Sequence, residues 1–310
     1  MRDIKKNTFI QSMGLNDPKH AVTAIKNIYY NYTHNVVDTN SAYNIRPLTS
    51  SFNKFRFAKL LNQENILFQS DVYVEGLCFD FLLIYTEFLV KIVTSIDNID
   101  IKKYNDAAAK NNLQCYFLYD FDRYDCFAKS LVNRYNISSE EIDIKQVSNS
   151  DAIKFYNKFS LYHADLSYCI NIAAIRNNSI LACMSFRLAD LSSNSWVIAN
   201  ICNKYHYSII NGNKLLLQSF IQSYSPDSIS AMSDLSKSNG MSLYHLGLKL
   251  KHEIPSENIY TKYKCGISNS LIKDVLHIPD TVIEDMMIKE NYNVVHNLGY
   301  QIFEETYKGT

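Results

Sequence analysis

Glycine and proline are scarce in this chain, eight and five in 310 residues, while Asn, Ile, Lys and Tyr are abundant. The favoured residues have AT-rich codons, so genome composition accounts for the bias and no function follows from it. The formal net charge is zero, so the molecule as a whole lacks the charge signature of a nucleic-acid binder. The seven cysteines (Cys78, Cys115, Cys126, Cys169, Cys183, Cys202 and Cys265) include no Cys-x-x-Cys pair, and several sit inside apolar runs. That pattern disfavours zinc sites and disulfide frameworks and fits buried, reduced thiols in a cytosolic protein. The polar start Met1–Asn7 has no signal-peptide core, and the most apolar run, 77–93, is broken by Asp80, Glu87 and Lys91. The expectation is a cytoplasmic protein with no membrane partner.

What is present is enough apolar sequence, 47%, for two real cores. Charge is unevenly spread. Residues 1–60 hold nine Lys/Arg against three Asp, and residues 61–150 hold eight basic against fourteen acidic side chains. Such a basic arm beside an acidic domain means either a phosphate-binding surface or, more simply, two modules that attract each other.

Taken in order, Asp17 and Pro18 start a helix running to about Asn31, with Ala21, Ile25 and Ile28 at helical spacing. A second helix over Ser51–Leu61 interleaves Phe52 and Phe55 with basic residues, as base-stacking surfaces do and as ordinary amphipathic helices do. Strands follow over 66–74 and 77–85, joined at Glu75-Gly76, with a third strand over 87–94. A helix over 102–112, a strand over 114–119 and a closing helix over 122–135 complete a small α/β module. Ser138–Glu141 reads as a linker. From Ile142 the pattern is strand, helix, two strands joined at Asn177-Asn178, a strand ending near Ile201, a helix from Leu215, a strand over 228–233 and a short helix. Strands over 249–253 and 258–264, helices near 270–276 and 281–291 and a last strand after Gly299 end the chain. The predicted class is α/β (α+β): a basic helical region 1–60, a module 61–139 and a mixed-sheet domain 140–310.

The succession from Ile142 resembles the GCN5-related N-acetyltransferase fold. The resemblance rests on the turn before Leu215, with Asn211, Gly212, Asn213 and Lys214, and on the ending Leu243-Tyr244-His245-Leu246-Gly247-Leu248. Backbone N–H groups and a helix dipole favour phosphate at such a turn, and glycine lets the backbone approach closely. The resemblance implies acetyl-CoA as cofactor, a pyrophosphate site at Asn211–Lys214 and Tyr244 as the acid that protonates the departing thiolate. Asp234, at a strand end, is the candidate general base, with His206 and His163 behind it.

A second resemblance covers more of the chain. Phage proteins described as homing-endonuclease-like join a Vsr-like nuclease module to an acetyltransferase-like domain with an Asp-x-x-x-Ser-x-Gly loop and a Tyr-x-x-Leu-Gly-Phe ending. Asp234 to Gly240 and Tyr244 to Leu248 are similar to that pair. In the first module the resemblance implies paired carboxylates, Asp71 and Asp80, holding Mg²⁺ as metal ligands and catalytic groups. The strand after Asp80 reads Phe81-Leu82-Leu83-Ile84-Tyr85 instead of the family's Gly, Trp and His segment, and no histidine occurs between His34 and His163. Lys102 or Lys103 is the candidate basic residue. The implied protein is phage-encoded and nucleic-acid-associated, works in the host cytoplasm, and carries a degenerate nuclease module and a scaffold-like second domain. The alternatives are an active acetyl-CoA-dependent N-acyltransferase, a Mg²⁺-dependent DNA endonuclease, and a factor that binds host or phage protein.

Overall fold

The computed structural model describes residues 18–34, 50–94, 99–132, 135–161, 166, 168–190, 192–262 and 265–307; Asp17 and His163 lie outside them. Helix α1 (Pro18–His34) has proline at its first position. Helix α2 (Ser50–Gln63) buries Phe57 and Leu61, one turn apart. The strands β1 (Phe68–Val74), β2 (Leu77–Leu83) and β3 (Phe88–Val93) run antiparallel in sequence. The first hairpin turns at Glu75 and Gly76, both at positive φ, as the turn signal predicts. Helix α3 (Ile101–Lys110), capped by the Asp100 side chain, then crosses over so that β4 (Gln114–Tyr119) lies parallel to β3. Helix α4 (Tyr124–Ser130) is shorter than the predicted closing helix. The Asp122 carboxylate accepts from the Tyr119 amide at 2.8 Å, and that turn delays the helix start.

This four-stranded sheet, ordered β1-β2-β3-β4, has a core on each face. Phe79, Leu89, Val93 and Phe117 pack under α3, whereas Phe81, Leu83, Val90 and Leu118 pack under α2 and α4. Phe79 and Phe81 are two residues apart and should share a face in a regular strand. They do not, because the β1–β2 register skips Asp71 and Asp80 between the pairs Ser70↔Phe81 and Val72↔Phe79. Asp71 sits there at φ +52°, and the irregularity turns both strands over.

The chain continues through β5 (Tyr135–Ile137) and a single 3-10 turn, Ser139–Glu141, closed by a capping box from Ser138 to Glu141. Then come β6 (Asp143–Val147), α5 (Asn149–Phe159), β7 (Cys169–Arg176), β8 (Ser179–Asp190), β9 (Ser195–Asn203), β10 (Tyr207–Ile209), α6 (Gly212–Tyr224), β11 (Ser228–Asp234), α7 (Met241–His245) and β12 (Lys249–Ile254). Next are β13 (Asn258–Lys262), β14 (Cys265–Ser268), α8 (Asn269–Leu276), α9 (Asp280–Lys289), β15 (Asn293–His296) and finally β16 (Tyr300–Thr306). Seven strands form one mixed sheet in the order β12-β16-β11-β9-β8-β7-β6. The succession through α7 follows the one implied by the acetyltransferase resemblance, except that β10 is added between β9 and α6. The segment β13 to β15 forms its own three-stranded sheet, inserted between β12 and β16; the sequence pattern missed β14 and β15.

One face of the large sheet is covered by α6 and α7, where Leu216, Leu217, Phe220 and Leu243 meet Phe186, Ile198, Ile229, Ala231 and Phe303. The Phe186 and Phe220 rings stack at 3.7 Å and 7°. The other face takes α5, with Phe155 and Tyr156 against Cys169, Cys183 and Cys202. The cysteines seen among the described residues are free thiols, mostly buried, as expected. Helix α1 packs far from its chain neighbours: Ile25 and Ile28 meet Leu271, Ile272, Ile283 and Met286 of α8 and α9, and the Tyr32 hydroxyl donates to Asp285 at 2.7 Å. Each such apolar side chain contributes about 1.5–3 kcal/mol when buried. Among the described residues no helix is long and apolar enough to cross a membrane.

Candidate functional site

In the large sheet, β9 and β11 are parallel neighbours, yet they pair only over Ser195–Val197 and Ser228–Ser230. At the point where they part, β9 carries a bulge: Ser185 faces Asn200 and Phe186 faces Ile198, leaving Ala199 as the extra residue. Beyond it, the facing backbone edges of residues 198–203 and 231–234 have no partner on the opposing strand. Both strands run toward this open end. Since α6 carries the crossover between them, its first turn also lies at that end, where ligands bind in open parallel sheets.

The start of α6 differs from its predicted position. Gly212, Asn213 and Lys214 form the first turn of the helix instead of a preceding loop. Asn211, left-handed at φ +55°, stands at the cap position, and its carbonyl accepts from the Leu215 amide at 3.0 Å. A residue other than glycine fits badly at 212, because a Cβ there would stand 2.7 Å from Ile209 Cβ. The first-turn amides of Gly212, Asn213 and Lys214 have no acceptor within the helix. Asn213 Oδ1 is buried without a hydrogen-bond partner, as is Ser233 Oγ in the half of β11 that has parted from β9. Lys214 is exposed. Strand β10 pairs with β5 and steadies the approach to the helix.

The remaining sequence candidates are distributed around this end. Tyr244, on α7, is 45% exposed and stands edge-on to Phe303 at 4.9 Å. Asp234 shapes a turn: its carboxylate accepts from the Ser236 amide at 2.8 Å and its carbonyl from the Lys237 and Ser238 amides. Burial raises its pKa, against the opposing charge of Lys237. His206 is exposed at φ +66°, where its carbonyl accepts from Tyr135, so it serves the strand β5–β10 contact.

The turn after Asp234 also joins the two halves of the molecule. The Ser236 carbonyl accepts from the Phe117 amide at 2.9 Å, and Tyr119 donates to the His296 carbonyl at 2.9 Å. Lys237, 8% exposed, pairs with Asp122 and donates to the Phe117 carbonyl at 2.5 Å. Arg123 donates to the carbonyls of Ser160 and Asn157 at 2.7 and 2.8 Å. The β4–α4 corner of the small module thus rests beside the open end of the large sheet.

In that module the structure brings Asp71 and Asp80 together, but around a lysine. Lys54 Nζ lies 2.5 Å from Asp80 Oδ1 and 3.6 Å from Asp71 Oδ1. Lys91 Nζ lies 3.4 Å from the same Asp80 oxygen, donates to the Cys78 carbonyl at 3.0 Å, and sits over the Tyr104 ring. The other oxygen, Oδ2, accepts from the Ile92 amide at 2.7 Å, filling the place where β2 has stopped pairing with β3. For Lys54, burial works to lower the pKa, and the hydrogen bond and charge of Asp80 more than offset it, so the net direction is upward. Lys102 and Lys103 are exposed on α3 and do not reach the carboxylates; Lys103 pairs with Asp100. Lys54 and Lys91 were missed, although Lys91 left a signal as the lone charge in Phe88-Leu89-Val90-Lys91-Ile92-Val93.

These residues do not fit Mg²⁺. A dication about 4 Å from each ammonium would be repelled by on the order of 8 kcal/mol per lysine at an effective dielectric of 20. Among the described residues no three Asp, Glu, His or Cys side chains gather as a metal would require.

No family model and no curated protein matches the chain. Solved structures are similar over its C-terminal part. A GNAT family acetyltransferase from Elizabethkingia anophelis, with acetyl-CoA bound, is 10% identical at a TM-score of 0.33, covering 55% of this chain and 100% of its own. The ribosomal-protein-S18-alanine N-acetyltransferase of Escherichia coli is 11% identical at 0.34, covering 55% and 98%. A Bacillus subtilis acetyltransferase in complex with CoA is 11% identical at 0.32, covering 54% and 99%. These identities are too low to transfer an activity, a substrate or a cofactor. The chain is a mixed α/β protein whose second half is built on a seven-stranded mixed sheet.

Proposed function

We propose that the second half binds an acyl-coenzyme A in the opening between β9 and β11 and transfers its acyl group to an amine. The observation that carries this reading is the parting of the two strands after Val197 and Ser230, at the Ala199 bulge and beside the first turn of α6. An extended amide-containing chain can pair with the free backbone edge of β9 as a strand would. The first-turn amides of α6, with Lys214 beside them, suit a pyrophosphate. The buried Asn213 Oδ1 and Ser233 Oγ are polar atoms that a polar ligand there can satisfy. When bound, the cofactor supplies a thioester carbonyl for the amine to attack. In this reading backbone N–H groups at the bulge donate to the developing negative charge, and Tyr244 is the acid that protonates the departing thiolate. Asp234, engaged in its turn, is not assigned as base.

Calorimetric titration with acetyl-CoA tests this. The expected result is one site, weakened about tenfold by Lys214→Glu, a change of about 1.4 kcal/mol. No heat at millimolar cofactor from the folded protein would remove the reading.

A further inference from the structure

Asp71 and Asp80 are the side chains on which a divalent ion would have to sit, and both already hold a cation. We infer that the ammonium of Lys54 has taken the metal's position, so that the small module works without a divalent ion and uses its acidic pair to anchor α2. Three features carry this. The ammonium is shared, in contact with both Asp80 and Asp71. The Asp80 carboxylate is already engaged at both oxygens, by Lys54 and Lys91 at Oδ1 and by the Ile92 amide at Oδ2. Its side chain is also 0% exposed, whereas Mg²⁺ keeps several of its waters and needs room for them. Lys54 stands one turn ahead of Phe57 on α2, so the ion cluster fixes the helix at the head of its buried stripe. The strand irregularity at Asp71 gives the acidic pair its shape, and the lysine closes it.

The full chain is titrated with Mn²⁺, followed by water-proton relaxation. The wild type is expected to bind no Mn²⁺ at concentrations on the order of 1 mM. Lys54→Gln combined with Lys91→Gln, which removes both ammonium groups from the acidic pair, is expected to gain a Mn²⁺ site that the wild type lacks, with a dissociation constant below about 1 mM, lost again when Asp80→Asn is added. Wild-type binding that Asp71→Asn or Asp80→Asn abolishes would overturn the inference. So would a folded Lys54→Gln/Lys91→Gln protein that gains no site. The wild-type and Asp71→Asn arms need no core change, because Asp71 is 66% exposed, and they decide the matter even if the double lysine variant does not fold.

Discussion

Asp120, at the end of β4, is 9% exposed, and its Oδ1 has no hydrogen-bond partner. Burial first, and the neighbouring charge of Asp122 second, push its pKa up from 3.8 to about 6. The native state therefore holds this proton more firmly than the unfolded chain does. Between about pH 4 and pH 6 the native protein binds more protons than the unfolded one, so this group makes stability fall as pH rises, with no further loss above that window. Two units at 1.36 kcal/mol each give a ceiling of roughly 3 kcal/mol. Asp120→Asn keeps the shape and removes the charge, so the variant is expected to be about 1–3 kcal/mol more stable than wild type at pH 7.5. At pH 4 the two proteins are expected to differ little, because Asp120 is then largely protonated in the native state. Urea unfolding at both pH values, followed by the fluorescence of the single tryptophan, Trp196, measures the difference. An equal difference at the two pH values would show that shape and not charge is responsible. A less stable variant at pH 7.5 would show that the carboxylate is a favourable partner, and the reasoning would fail.

Other outcomes follow from the same geometry. Lys237→Met leaves the Asp122 carboxylate buried without its cation and is expected to cost about 3–5 kcal/mol, with Asp122→Asn in the same chain restoring much of it; chemical denaturation of the four proteins closes the cycle. Gly240→Ala places a Cβ 2.4 Å from Phe303 Cζ at a residue with φ +74°, and a loss of roughly 2–4 kcal/mol is expected in thermal unfolding. Phe220→Ala removes the ring stacked on Phe186 and packed against Trp196, which should cost about 3–5 kcal/mol and change the tryptophan emission.

Much of the local structure was legible in the residues. Asn177-Asn178 turn at φ +48° and +59°, as a tight pair of asparagines should, and the Ser148 hydroxyl accepts from the Asp151 amide to start α5. Glu75-Gly76 makes its hairpin, and the cysteines in apolar runs are buried where those runs pack. These features depend on neighbours within four residues, so the sequence carries them directly. The boundary of α6 was read three residues late, because Gly212 and two flanking polar residues look like a loop until Asn211 adopts the left-handed conformation that lets them join the helix.

By itself, then, the sequence determined the mixed α/β class and most of the longer elements, because periodicity and turn chemistry are local, while the short strands β5, β10, β14 and β15 escaped it. Tertiary structure alone decided the rest. The parting of β9 from β11 at Val197 is a register event between segments about thirty residues apart, and no pattern within either strand announces it. The turn that Asp234 forms is local, but the docking of its Ser236 and Lys237 onto Phe117 and Asp122 of the first module is tertiary. Asp71 and Asp80 did meet, but α2 delivered Lys54 between them and β3 delivered Lys91 beside them. A carboxylate's chemistry depends on which charge arrives within about 4 Å of it. That distance is set by packing between remote segments.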